Sequence, residues 1–230
     1  MGVGHAAVAL GASRASPRLN AGWLVFGAFL ADFLLGIFAT AGLEQAHVPA
    51  DFASRHYLTF TFPYSHGLVP LLLWGGLFGY IVSRAQRLDQ RRAFLVLAAV
   101  VVSHFLLDGL VHIAGLPLAG ENSPKLGLAL WDHMPLELSI ETLMAGAGAV
   151  LYVIAAGAGA PRASRWGIPV FMTLLTGLTW TQLFMTTPPV PAQLAVNWMA
   201  APLVFGVVVY TLDRKRARGA LGEPRRQGIR

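Results

Sequence analysis

The chain contains no cysteine, which excludes disulfides and thiolate metal ligands. Charged side chains are scarce at 12%, about half their share in ordinary soluble domains. Strand-like alternation of polar and apolar residues is also rare. By contrast, 55% of the residues are hydrophobic and the mean hydropathy is +0.58. We therefore predict an all-α, polytopic membrane bundle rather than a soluble domain or a membrane barrel.

Six apolar runs each have the ~17–25 residues that a membrane-spanning helix needs. They are roughly Leu19–Leu43, His66–Ser83, Ala93–Leu116, Leu136–Gly159, Gly167–Thr187 and Gln193–Leu212. We predict a single membrane domain over residues 1–212, with a metal-site core at about residues 1–143 and additional helices at 144–212. Residues 213–230 are predicted to form a basic, disordered cytoplasmic tail.

The basic residues predict the orientation of the chain. Fifteen of the seventeen fall on one side of a six-span arrangement, and only Arg55 and Lys125 fall on the other. Because basic loops stay in the cytoplasm, both termini are expected there, with loops 44–65 and 117–133 outside. This distribution explains the net charge of +6 without nucleic acid. The expected location is the bacterial inner membrane.

A short apolar piece, Gly2–Ala12, precedes the first span and is too short to cross a bilayer. His5 lies thirteen residues before Arg18, and Asp32 lies fourteen residues after it. If the two pieces form a helical hairpin, His5 and Asp32 end at a similar depth. We therefore predict a half-membrane N-terminal helix beside the first span.

Three polar side chains share one face of the third run. His104, Asp108 and His112 follow one another at four-residue spacing, which turns each about 40° past the last around a helix. A carboxylate at bilayer depth is costly unless it faces a partner or a wet cavity. The pattern predicts a metal site, with a hydrogen-bonded polar network as the alternative.

Further ionisable residues of the first four runs are expected at the same level, in the outer half of the membrane. The candidate metal ligands are His5, Asp32, His66, His104, Asp108, His112, His133 and Glu137. Glu141, one turn deeper than Glu137, is predicted to orient a ligand and to act as the catalytic base. Imidazole and carboxylate without sulfur suit zinc, although manganese and iron also accept them. Eight ligands fit two ions, with a third ion as an open alternative.

Several of these residues resemble a known family. Tyr64–Leu68, Ser103–Asp108 and the upstream His5 and Asp32 are similar to the bacterial inner-membrane metal-dependent hydrolase family. More remotely, the ligand order resembles the zinc-dependent phospholipase C and P1 nuclease superfamily. The resemblance covers roughly residues 1–143. The chain departs from the family at two places. Gly36 stands where the family often has an acidic residue, and Phe62 and Pro63 precede the His66 motif where the family often has an arginine.

The resemblance to the superfamily implies a division of the ligands between ions. One zinc would be held by Asp32, His66, His104 and Asp108, and a second by His112, His133 and Glu137. The superfamily's third zinc uses the chain's amino terminus and a nearby histidine, a part that would fall to His5 here.

Together these features predict a zinc-dependent membrane hydrolase that acts on a phosphoester, either a membrane lipid or a lipid-linked small molecule, from the outer leaflet. Clustered metals suit this chemistry because one ion activates water while others stabilise phosphoryl charge. The alternatives are a divalent-cation transporter and a non-catalytic, metal-stabilised membrane protein. Against transport, the last two runs contain no acidic or basic residue to line an inner path.

Overall fold

The computed structural model describes residues 1–87 and 90–222, and these residues are mostly helical. The helices are α1 (Val3–Ala12), α2 (Ala21–Ala28), α3 (Leu30–Thr40), α4 (Phe52–Arg55), α5 (Leu68–Ala85), α6 (Gln90–Val111), α7 (Met134–Ala156), α8 (Ile168–Trp180) and α9 (Pro191–Gly222). Two small antiparallel sheets pair β1 (Gln45–His47) with β2 (Thr59–Thr61), and β3 (Leu116–Pro117) with β4 (Lys125–Leu126).

Within the described residues, five helical segments are long and apolar enough to cross a membrane, and there are six if the bent pair α2 and α3 is counted as one span. The segments carry many large apolar side chains on their outer surface, such as Leu73, Leu143, Ile154 and Leu174, each at least 60% exposed. An apolar exterior of this kind suits lipid rather than water. The prediction of a helical, multi-pass membrane bundle is therefore confirmed at this level.

The first predicted span is broken in the middle. Phe29 has φ −104° and ψ 13°, and α2 and α3 meet there at a 49° bend. Asp32 consequently lies in the first turn of α3 instead of deep within a straight helix. This bend directs Asp32 towards His66, which precedes α5, and towards the predicted ligands on α6, as described below.

The short N-terminal helix is α1, and it is buried inside the bundle. It packs mainly against α7, where a Cβ atom on Gly148 would lie 2.6 Å from the backbone of Ala7. Only glycine allows two helices to approach so closely, as is common in membrane bundles. The close approach inserts α1 among α2, α6 and α7, and places His5 in the protein interior.

The two small sheets and α4 lie at one end of the bundle, which we call the loop end. The opposite end, where α9 finishes, is the tail end. The predicted third span is shorter than expected, because α6 ends at Val111 and is followed by a turn into β3. His112 nevertheless keeps its helical register, since its N–H donates to the Asp108 carbonyl at 2.9 Å.

The predicted tail does not begin where the sequence indicated. Helix α9 continues through Gly222, and both Asp213 and Arg216 are buried. The Asp213 carboxylate accepts hydrogen bonds from the Tyr152 hydroxyl and the Ala21 N–H, so this turn of α9 is tied to α7 and α2. The part of the predicted tail after Gly222 lies outside the described residues.

Candidate metal centre

The side chains of the candidate centre converge on Asp108, a carboxylate that is 2% exposed. Its Oδ1 atom lies 3.1 Å from His5 Nε2 and 3.1 Å from the Met1 amino nitrogen. Its Oδ2 atom lies 3.1 Å from His104 Nε2, 3.4 Å from His112 Nε2 and 3.7 Å from His66 Nε2. Four imidazoles from three parts of the chain therefore surround one buried carboxylate.

His104 is held in one orientation by the break in the first span. Its Nδ1 atom lies 2.7 Å from the carbonyl oxygen of Ala28, the last residue of α2. A carbonyl only accepts, so Nδ1 carries the proton and Nε2 keeps its lone pair in the neutral ring. Among the described residues, Nε2 has no hydrogen-bond partner although it faces Asp108 at 3.1 Å. Two lone pairs facing each other at this distance favour a cation between them.

His66 is oriented by a second, separate relay. The Ser65 hydroxyl lies 2.6 Å from Glu44 Oε2 and 2.7 Å from His66 Nδ1. Because the hydroxyl has one proton and donates it to the carboxylate, it must accept a proton from Nδ1 of the ring. His66 Nε2 therefore also presents a lone pair, and it lies 3.8 Å from Asp32 Oδ1. A carboxylate behind a histidine is the usual way to fix a metal ligand.

Two groups of three side chains are close enough to hold a metal ion. One consists of His5, His104 and Asp108, and the other of Asp32, His66 and His104, with ligand atoms within 4.8 Å of one another in each group. Bonds of about 2.0–2.1 Å at tetrahedral angles place ligand atoms about 3.3 Å apart. The separations of 3.1–3.7 Å around Asp108, and of 3.8 Å between His66 Nε2 and Asp32 Oδ1, are close to that spacing.

The two groups share His104, and this limits how they are filled. Since Nδ1 of His104 is engaged by Ala28, only Nε2 can bind, and one lone pair serves one ion. If Asp32, His66 and His104 held one ion, a second would have to use His5, Asp108 and His112, whose Nε2 lies 3.4 Å from Asp108 Oδ2. The geometry thus fits one ion at His104, in either group.

A cavity of about 300 Å³ lies beside these groups. Its wall includes His5, Asp32, His66, Asp108 and His112 on one side, and Trp198 of α9 on the other. Most of the candidate ligand side chains are buried, but 27% of the Asp32 side chain is exposed. The centre is therefore within reach of a small molecule. The volume falls at the lower end of the roughly 300–1,000 Å³ typical of ligand sites.

Aromatic side chains cover the centre from the loop end. Phe62 stacks on His66 with ring centroids 4.6 Å apart, and Trp131 lies 4.1 Å from His112. Tyr57 stacks on Trp131 and donates to Asp132 at 2.5 Å. Burial, together with that hydrogen bond, raises the pKa of Tyr57 above its ordinary value, so its hydroxyl stays protonated and keeps donating. Phe62 and Trp131 line the loop-end side of the centre.

The structure brings together most of the residues predicted from the sequence. His5, His104 and Asp108 form a buried group that can hold a metal ion, and Asp32 and His66 adjoin it through His104. His112 completes the ring around Asp108. The identity of the metal stays a prediction.

Two other predicted ligands do not join this group. His133 is exposed. It is the last residue of a 3₁₀ turn, and its backbone angles are non-helical (φ −123°, ψ 55°). It therefore does not share the helical register assumed for a pair with Glu137. Glu137 is buried, but it lines a second cavity with Glu141. Neither glutamate belongs to the two metal-binding groups among the described residues. The role of Glu141 as a base stays a prediction.

Sequence reasoning missed two contributors. Glu44 was assigned to a loop, yet it is 2% exposed and accepts hydrogen bonds from the N–H groups of Tyr64 and Ser65 as well as the Ser65 hydroxyl. The Ala28 carbonyl orients His104. Ser65, directly before His66, was the available sequence signal for the relay from Glu44 to His66. No sequence pattern indicates that a backbone carbonyl such as that of Ala28 will orient a histidine.

Comparisons of the chain with protein-family models, with curated proteins and with solved structures give no match. The function is therefore inferred from the chemistry of the centre alone.

Proposed function

We propose that this protein is a membrane-embedded, metal-dependent hydrolase that uses zinc and acts on a phosphoester, either a lipid or a lipid-linked molecule. The observation that carries the proposal is the set of two preset histidines, His66 and His104, whose free Nε2 atoms face Asp108. Such a set lacks sulfur and suits zinc, with manganese and iron as further candidates. The likeness to membrane metal-dependent hydrolases rests on the same residues.

The residues present define what the chain itself would contribute. His5, His104 and Asp108 would hold one ion, and the Ala28 carbonyl would keep His104 in its binding tautomer. When bound, the metal supplies an activated water and an electrophile for the phosphoryl oxygens. The aromatic cover of Phe62 and Trp131 would limit access of bulk water, which strengthens electrostatic interactions in the cavity.

The packing on the tail side of the centre supports hydrolysis over transport. Val100 and Leu97 lie one and two turns from His104 towards the tail end and are 2% and 0% exposed. They pack with Leu10 and Leu24 in an apolar core. A transit site needs polar groups on both sides. The cavity instead lies on the loop side, as expected of a site that takes a substrate from one face of the membrane.

The first experiment measures metal bound to the full chain, purified in detergent through a histidine-free tag. We expect wild-type protein to retain at least one transition-metal ion per chain by mass spectrometry, and Asp108→Asn to lose it. Sharing about 10–16 kcal/mol of binding among four ligands makes each worth on the order of 10²-fold in affinity. His133→Gln is the matched control and should retain the metal, because His133 is exposed. Equal metal content in all three proteins would refute the centre.

The second experiment separates the two functional classes. Metal-loaded protein in lipid nanodiscs should cleave a generic phosphodiester such as bis-p-nitrophenyl phosphate, and Asp108→Asn should be inactive. A transporter would instead move zinc or manganese across proteoliposomes, with flux lost in Asp108→Asn. Flux without cleavage would overturn the hydrolase.

We further propose six spans, with both termini in the cytoplasm and the loop end outside. This topology accounts for the distribution of arginine and lysine and for the bent pair α2 and α3 as one span. The chain lacks cysteine, so Ala53→Cys, at an exposed position of α4, introduces a unique label site. Labelling of intact cells by a membrane-impermeant maleimide is expected. Labelling only after lysis would contradict the topology.

A further inference from the structure

A second cavity, of about 380 Å³, lies next to the candidate metal centre. Both cavities share part of their walls, formed by Met1, Gly2, Phe60, Trp131 and Trp198. The second cavity extends from there towards α8 and the loop that follows it. The two spaces are therefore neighbours, separated by aromatic side chains and the first residues of the chain.

Two buried carboxylates line this second cavity. Glu137 and Glu141 are 2% and 1% exposed and lie one helical turn apart on α7. The Glu141 carboxylate faces the backbone N–H groups of Gly2 and Val3 at the start of α1. Among the described residues, however, neither of its oxygens makes a hydrogen bond of good geometry. The Met1 amino group, which is also on this wall, hydrogen-bonds to Asp108 instead. One ammonium group, that of Met1, therefore lies near three buried carboxylates. The remaining negative charge inside a membrane bundle is costly unless a further cation or a proton accompanies it.

The surroundings favour an organic cation over a metal ion or an arginine. Among the described residues, two groups of side chains are close enough together to hold a metal ion, and neither group includes Glu137 or Glu141. No lysine or arginine is present among the described residues that line the cavity. The wall instead contains Tyr57, Trp131 and Trp198. Aromatic faces beside carboxylates are the usual surroundings of bound ammonium groups.

We propose that the second cavity binds an organic ammonium group, with Glu137 and Glu141 supplying the negative charge and the aromatic wall supplying the cation–π surface. The existence of this site does not depend on the proposed hydrolase. If that function holds, the adjoining cavities define the substrate class as an amine-bearing phosphoester, with its phosphoryl group at the metal centre. Phosphoryl and ammonium groups would then lie on either side of the shared aromatic wall.

The test measures binding of choline to the full chain in phosphatidylglycerol nanodiscs by calorimetry, with and without EDTA. The comparison ligand is 3,3-dimethyl-1-butanol, which has the same shape without the charge. We expect choline to bind in both conditions and the alcohol to bind at least ~10-fold more weakly. Equal binding of the two ligands, or no choline binding, would overturn the inference.

The variants separate a cation site from a structural role. Glu141→Gln keeps the size of the side chain and removes one charge, so choline affinity should fall by at least ~10-fold. Glu121→Gln, the same change in an exposed loop, is the matched control and should bind normally. If Glu141 only caps the start of α1, Glu141→Gln would lower thermal stability and leave choline affinity unchanged, which would refute the proposal.

A further arm distinguishes the source of the ammonium group. Replacing half of the nanodisc lipid by phosphatidylethanolamine should weaken choline binding if lipid headgroups enter the cavity. Unchanged binding would instead assign the site to soluble amines. Failure of choline binding with normal metal content would remove this inference but leave the proposed hydrolase standing. Choline binding by a protein that holds no metal and cleaves no phosphodiester would support this inference and refute the proposed hydrolase.

Discussion

Two buried aspartates at opposite levels of the bundle show how differently a carboxylate can be kept inside a membrane protein. Asp213, near the tail end, is 0% exposed and accepts from Tyr152 at 2.5 Å, from the Ala21 N–H at 2.8 Å and from the Arg216 guanidinium. Asp108 is almost as buried, but its neighbours are imidazoles and the Met1 amino group.

The difference lies in what neutralises and satisfies each carboxylate. Arg216 balances the charge of Asp213 and also donates to the Pro17 carbonyl at 3.0 Å, so the cluster joins α9 to the start of the first span. Around Asp108, His104 Nε2 and His5 Nδ1 have no hydrogen-bond partner among the described residues. A satisfied buried cluster indicates a structural role, whereas an unpartnered imidazole nitrogen aimed at a carboxylate, as in His104, indicates a bound ion.

The largest effect is expected from Asp213→Asn. This change leaves the buried Arg216 charge uncompensated, which typically costs about 3–5 kcal/mol of stability. Thermal or denaturant unfolding in detergent should show that loss, while metal content per folded chain stays at the wild-type level. In EDTA, Asp108→Asn should destabilise less than Asp213→Asn. The reverse order would contradict the assignment of the two roles.

A smaller loss is expected from Tyr152→Phe. It removes one hydrogen bond to the Asp213 carboxylate and leaves the guanidinium pair in place, at a cost of about 1.5–3 kcal/mol. The measurement is again equilibrium unfolding. Tyr80→Phe, at an exposed position of α5, is the matched control and should be neutral. If both variants unfold like wild type, the Asp213 cluster does not stabilise the bundle.

The smallest change should come from Ser65→Ala, which interrupts the relay behind His66. Loss of such a supporting group typically lowers metal affinity by about 10–100-fold. Competition with a fluorescent zinc chelator measures the change, and Ser139→Ala, exposed on α7, serves as the control. Stability in EDTA should be nearly unaffected. A metal affinity equal to wild type would show that His66 needs no relay and would weaken the comparison with Asp213.

The periodicity of the sequence was sufficient to predict the bundle and the centre of the site. His104, Asp108 and His112 meet as predicted because four-residue spacing fixes their common face, even where α6 ends at Val111. The predicted hairpin of α1 and the first span placed His5 and Asp32 at a similar depth, and both side chains line the same cavity.

The remaining features depend on tertiary geometry. The bend at Phe29 places the Ala28 carbonyl against His104. The sequence does not predict this bend, because no proline lies near Phe29. His133 was expected in helical register with Glu137, but a 3₁₀ turn ends at that residue. Asp213 looked like the start of a polar tail because its partner, Tyr152, is sixty-one residues away in the chain.

The most direct test of the metal centre is X-ray absorption at the zinc edge on protein loaded with one equivalent of zinc. The expected spectrum shows only nitrogen and oxygen ligands at about 2.0–2.2 Å, with the multiple-scattering pattern of at least two imidazoles. His104→Gln should lose one imidazole or fail to retain zinc, because Nε2 of His104 belongs to both possible groups. A spectrum without imidazole, or one unchanged in His104→Gln, would contradict the account.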